Sequence, residues 1–226
     1  MDINRRTQFA PITAPYLRDQ AFHRLREAIV AGILAPGAPV VIDDLAAEFG
    51  LSAMPVREAV KRLVADGLVE ELPRRAHRVA PLTRTSVLNV LEIFGTLMIR
   101  AYELGVPALG PADIAAMRAA LATAAAHAEA GELTAVLAAV HAMHGIVYAA
   151  TGNVEFDRTI AAIGPRFDRA LYLWYAESIS GVATSYRNDL VVALEEGRPD
   201  DAVEILRRAW QRFRGVIAGR EEEETA

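Results

Sequence analysis

The 226-residue chain contains no cysteine, which excludes disulfides, thiolate metal sites and cysteine nucleophiles. It has no uncharged apolar run near the roughly 18 residues that cross a bilayer, so no membrane partner is expected. A compact apolar N-terminal segment followed by a small-residue cleavage site is also missing, and a cytoplasmic location is the simplest expectation. Histidine is scarce, with five in all and none after His144. There is no HExxH, no phosphate-cradling glycine loop and no G-x-S-x-G elbow. Helical bundles that carry di-iron chemistry use Glu-x-x-His pairs, but Ala138 stands three residues before His141. No enzyme and no cofactor are therefore expected. What is abundant is apolar side chain, 53% of the residues, enough for a sizeable core.

The net charge of −5 argues at first against nucleic acid, but it is unevenly spread. Residues 1–80 are close to neutral at +1, and the remainder carries −6, including four glutamates in the terminal "REEEETA". The imbalance predicts two modules with different tasks.

Residues 1–15, with Pro11 and Pro15 and no periodic pattern, read as a flexible arm, and 221–226 as an acidic tail. From Tyr16 to Gly32, Leu17, Ala21, Leu25 and Ile29 follow helical spacing, and glycine ends the helix. "ILAPGAPV" is a turn-rich connector. "DDLAAEFG" is a short helix opened by acids. In "LSAMPVREAVKRLVADG", Ser52 suits an N-cap and Pro55 a first turn. "LVEEL" and "HRVAP" read as two strands around the basic turn "PRRA". Residues 16–80 thus predict a winged helix-turn-helix. Beyond it, residues 81–220 predict an all-α bundle of about six helices: 83–104, 111–130, 132–151, 153–179 kinked near Pro165, 181–197 and 199–220. The fold class is mainly α.

A helix-turn-helix lays its second helix in the major groove with its N-terminal residues toward base edges. Ser52, Ala53, Met54 and Arg57 hold those positions, with Lys61 and Arg62 placed for the DNA backbone. Arg57 can fork onto a guanine edge or a phosphate. Arg74, Arg75, His77 and Arg78 suit a wing laid along a groove. A solvated helix face and a solvated turn would carry the same charges. The order of elements favours DNA.

These features, "GILAPG", "LAAEFGLS", "PVREAVKRL" and "DGLVEELP", resemble the GntR-type winged helix of bacterial transcription regulators over about 65 residues. The region from about 87 to 217 resembles the helical FCD ligand-binding domain of the FadR subfamily, through helix order, the H-x8-N spacing from His144 to Asn153, and "ALEEGRPDDAVEIL". The resemblance implies a homodimer on double-stranded operator DNA, with a small-molecule effector such as an organic acid held in the helical domain. Three positions depart from the winged-helix pattern. Ala53 stands where the family usually has arginine, Ala76 where it has a wing-tip glycine, and Asp43 where some members place a residue for the DNA backbone. They predict altered or weaker operator binding, and they keep open an alternative in which the chain is a sensor or interaction module that has lost strong sequence-specific DNA binding.

Many FCD domains hold a divalent metal through an Asp, a His four residues later and two more histidines in the last helices. Here His144 matches the first histidine. The Asp position is Val140, and the later two are best matched by Arg187 and Ala209. His141 and His144 share a helix face, but a closed site wants three or more N or O ligands, and no metal is expected. The pair reads either as core histidines bonded to neighbours or as the wall of a metal-free pocket in which Arg187 grips a carboxylate. The effector candidates are Arg100, His141, His144, Tyr148, Asn153, Arg166, Tyr172 and Arg187, with Arg169 and Tyr175 as further possibilities. Asn153, after Gly152, suits a helix cap equally well.

Overall fold

A computed structural model of the protein describes residues 15–219, side chains at 15, 16, 133 and 175–185 excepted. The arm read at 1–15 and the tail read at 221–226 lie outside the described residues, save that Pro15 opens the first helix. Helix α1 (Pro15–Val30) precedes α2 (Ile42–Phe49) and α3 (Ala53–Ala65), and an antiparallel hairpin, β1 (Val69–Leu72) with β2 (Ala76–Val79), completes the first module. The register pairs Val69 with Val79 and Leu72 with Ala76. Five long helices follow: α4 (Arg84–Gly105), α5 (Pro111–Glu129), α6 (Leu133–Ala150), α7 (Val154–Glu195) and α8 (Pro199–Ala218).

The α2–α3 turn is built around Gly50, whose left-handed φ of 64° lets Leu51 N–H return to the Ala46 carbonyl at 2.9 Å. Ser52 occupies the N-cap of α3 in extended conformation but makes no side-chain capping bond, so its hydroxyl is not used for the role its position suggested. The wing has more support than two strands: Val40 N–H donates to the His77 carbonyl and Val79 N–H to the Ala38 carbonyl, so the connector adds a short third edge. The wing tip puts Arg74 and Arg75 in the left-handed region, at φ 65° and 61°, whereas Ala76 has an ordinary φ of −77°. The position without the family's glycine therefore has no need of one.

Two buried clusters form. Ala21, Phe22, Leu25 and Ile29 of α1 pack on Val56, Val60 and Leu63 of α3 and on Leu68 and Val79 in the first. The second fills the space between α4, α5, α6, α7 and α8. Two glycines set the spacing of the second cluster. A Cβ on Gly105 would sit 2.2 Å from the Val147 carbonyl oxygen, and one on Gly95 would sit 1.5 Å from Trp210 Nε1. The expected break at Gly181 does not occur: α7 runs unbroken for 42 residues, so the bundle has five long helices where six were read. A glycine in a helix interior costs only roughly 1 kcal/mol relative to alanine, which does not by itself end a helix.

Helix α7 also joins the modules. Arg169 is buried and donates from Nη2 to the Ala80 carbonyl at 2.5 Å. Gly67 lies against the Arg166 side chain, and Gly32 lies against Leu173. Among the described residues, no helix is long and apolar enough to cross a membrane.

Candidate functional site

The recognition-helix face is exposed and lightly charged. Ser52, Met54 and Arg57 face solvent, Met54 with 64% of its surface accessible, and Ala53 is half-buried. Among the described residues, Arg57, Arg74 and Arg75 make no salt bridge, so their guanidinium groups are available. The other predicted cations are engaged. Lys61 pairs with Glu58 at 2.9 Å. Arg62 bonds Asp19 at 2.6 Å and lies 3.9 Å above the Phe22 ring, which ties α3 to α1. Arg78 bridges across the hairpin to Glu70 at 2.9 Å, and His77 is half-buried in β2.

In the helical module a cavity of about 180 Å³ opens between α4, α6, α7 and α8. One wall is apolar, with Phe94 stacked on Phe167 at 4.4 Å and Trp210 set edge-on to Phe167. The opposite wall is polar. His144, 4% exposed, shares a 2.5 Å hydrogen bond between its Nδ1 and the Tyr102 hydroxyl, and Arg187, 5% exposed, places Nε 3.4 Å from His144 Nε2. An arginine N–H only donates, so Nε2 accepts and the proton of the neutral ring sits on Nδ1, directed at the Tyr102 oxygen. Burial, then Arg187 and His141, hold His144 well below the usual histidine range. Burial also pushes the Tyr102 and Tyr148 hydroxyls well up, so both stay protonated and uncharged near neutral pH. Nearer the opening, His141 bonds the buried Asp168 carboxylate at 2.9 Å. Pro165 cannot donate within α7, which leaves the Ala161 carbonyl on the same wall without its intrahelical donor.

These groups do not fit a divalent metal. The Nε2 lone pair that would bind the ion faces the guanidinium of Arg187, a fixed positive charge, and Val140 offers no donor. Among the described residues no three His, Cys, Asp or Glu side chains converge.

A pH dependence of stability follows from His144. Its folded pKa lies below its unfolded value of about 6.5, so the unfolded chain takes up the proton first as pH falls. The contribution is therefore constant above about pH 6.5 and turns against folding below it, by at most about 1.4 kcal/mol per pH unit. Melting curves between pH 7.5 and 5.5 should show a decline in the parent that is shallower in His144→Gln.

Of the sequence candidates, His141, His144, Tyr148 and Arg187 line this cavity; Arg100, Asn153, Arg166 and Tyr172 do not. Arg100 is exposed and pairs with Glu103 at 2.8 Å. Asn153 caps α7, its side chain accepting from Glu155 N–H at 3.1 Å. Arg166, like Arg169, is turned toward the winged helix, and Tyr172 is half-buried on α7 away from the cavity. Tyr175 lies outside the described side chains. Sequence reasoning missed Tyr102, Asp168, Trp210 and Arg26. Tyr102 follows Phe94 and Met98 at four-residue steps on α4, a stripe that could have signalled it. Asp168 and Arg26 carry no local signal, because their partners are remote in the chain.

Known proteins show the same two-part organisation. Residues 17–79 match the bacterial regulatory proteins of the gntR family, and residues 89–212, more than half of the chain, match the FCD domain. The fold is that of a winged-helix module on a helical FCD module. The chain belongs to the GntR family, in its FadR-type architecture. It is 31% identical over 99 residues to the HTH-type transcriptional regulator McbR of Escherichia coli K12, 44% of this chain and 45% of that protein. The solved structure of E. coli McbR/YncC superposes with a TM-score of 0.74 at 21% identity, covering 92% of this chain and 98% of that one. A putative GntR regulator from Rhodococcus sp. RHA1 gives a TM-score of 0.77 at 20% identity, covering 90% and 98%. At those identities the structures establish the fold alone. The chain spans less than half the length of the first curated relatives it matches.

Proposed function

We propose that the protein is a ligand-responsive transcription regulator that binds operator DNA as a homodimer and senses a small carboxylate in its helical module. The observation that carries this reading is the polar wall of the cavity. Arg187 and the tyrosines Tyr148 and Tyr186, which line the cavity with it, put a guanidinium and hydroxyl groups beside an apolar floor, which suits an anionic head on a short carbon skeleton. Two half-sites on a duplex call for a two-fold pair of winged helices, which is the basis for the homodimer. Relatives named as transcriptional regulators support a regulatory rather than an enzymatic role.

The test is a thermal-shift series of C3 to C6 monocarboxylates against the matching alcohols and amides. Saturation at 100 times Kd adds about 2.7 kcal/mol, or roughly 5–10 °C in a chain of this size. The carboxylates should shift melting and the neutral analogues should not, and Arg187→Met should remove the difference. Equal shifts from alcohols, or one tightly held divalent metal per purified chain, would overturn the ligand assignment.

A second reading is favoured by Ala53 and by the internal pairing of Lys61 and Arg62, which thin the DNA-facing charge: a sensor module without strong sequence-specific binding. A footprint on the protein's own upstream region at low salt separates the two. Protection supports the regulator, and its absence supports the sensor alone.

A further inference from the structure

The cavity has one wall residue that does not belong to the helical module. Arg26, on α1 of the winged helix, lines it together with residues of α4, α6, α7 and α8. It is half-buried, and among the described residues it makes no salt bridge or side-chain hydrogen bond. A half-buried guanidinium without such partners is costly unless something else meets it. The cavity also has a polarity along its depth. Arg187 and His144 are buried, whereas the lining residues His141 and Asp157 are exposed, which marks their side as the opening. Asp168, bonded to His141, makes no salt bridge to Arg26. Asp157, the other lining carboxylate, is open to water, where its field is screened.

From this arrangement we infer that the winged helix closes the effector cavity and that Arg26 is a ligand contact, so that the effector is acidic at both ends. One carboxylate meets Arg187 in the interior and the second meets Arg26. The inference rests on the carboxylate reading above and narrows it to a small dicarboxylate. It also states how binding reaches DNA. The ligand bridges the two modules directly, adding a contact across the junction where α7 already holds the winged helix through Arg169 and the Ala80 carbonyl. Differential contact of a ligand with two relative placements of the modules is what couples the sites.

The experiment is calorimetric titration of the full-length chain with succinate and glutarate, each against butyrate and valerate of the same carbon count. In the parent, the dicarboxylate should bind about tenfold more tightly or better, the range of one additional charged hydrogen bond. Arg26→Gln should collapse that ratio to about twofold or less, and Arg26→Lys should restore part of it. Circular dichroism of each variant establishes that it is folded. Equal binding of both acid series by the parent, or a ratio that survives in Arg26→Gln, would overturn the inference while leaving the monocarboxylate reading intact. Absence of binding by either series would overturn both. As a readout that an unrelated structural role would not move, succinate should slow amide exchange in α1 around Arg26 in the parent and not in Arg26→Gln.

Discussion

Arg57→Ala is expected to weaken binding to the upstream DNA of the protein's own gene by roughly tenfold to a hundredfold, the range of one bidentate base contact of about 1–3 kcal/mol. The reason is that the recognition helix has so little else. Ala53 offers a methyl group, Met54 a thioether, and the Ser52 hydroxyl, although spared from capping, is a single donor. Lys61 and Arg62, read from the sequence as backbone contacts, are held by Glu58 and by Asp19 with Phe22. Lys61→Ala should therefore cost little in binding. Arg62→Ala should lower stability more than affinity, because it loosens α3 from α1. The wing supplies the non-specific share: the double change Arg74→Ala with Arg75→Ala should flatten the slope of log K against log salt by about two, since each neutralised phosphate contributes about 0.9. Mobility shifts over a salt series read both quantities. An Arg57→Ala affinity within twofold of the parent would refute the assignment of α3 as the reading helix.

The largest expected loss of stability is at Gly105. A methyl group there would meet the backbone carbonyl of Val147 at 2.2 Å, and a carbonyl inside α6 cannot turn aside as a side-chain tip would. Gly105→Ala must separate α4 from α6 along the wall that carries Tyr102 and His144. Overpacking typically costs 1–3 kcal/mol and occasionally more. We expect the upper end, about 3 kcal/mol, in urea denaturation, accompanied by weaker carboxylate binding. Gly215 is the internal control. It lies within α8, and a Cβ there would meet nothing within 4 Å, so Gly215→Ala should stabilise by roughly 0.5–1 kcal/mol. Matching effects at the two positions would mean that the close approach of α4 and α6 is not what Gly105 serves.

The winged helix was legible in the sequence because its signals are local. Gly50 ends a helix, Pro55 fits a first turn, and the apolar stripe of Val56, Val60 and Leu63 follows one period; each sits within a few residues of what it determines. The division of the helical module failed at Gly181 for the same reason. A glycine is a local cue to a break, but helix propensity is a weak preference, and α7 continues through this one. Within the cavity, His144 and Arg187 were readable as a pair only through the family's spacing. Arg26 and Asp168 were not readable at all, because nothing near them in the chain states what they face. Arg100, Asn153 and Arg166 show the converse: a charged or polar residue in a helical stretch does not reveal whether it looks inward, caps an end or meets the neighbouring module.

The seat of the winged helix on α7 constrains how this chain can be recombined. Arg169 and Arg166 each bury a guanidinium Nε that lacks a hydrogen-bond partner among the described residues, and the Arg169 guanidinium is held down to a pKa of about 10 by that burial. Grafting this helical module onto another reading head would leave those cations facing a surface not shaped for them. The carbonyl of Ala80 and the bare backbone of Gly67 would have to travel with the graft. The transferable unit is thus the helical module together with the end of the wing and the glycine after α3, and a chimera cut cleanly at the linker after Ala80 should express poorly unless both are retained.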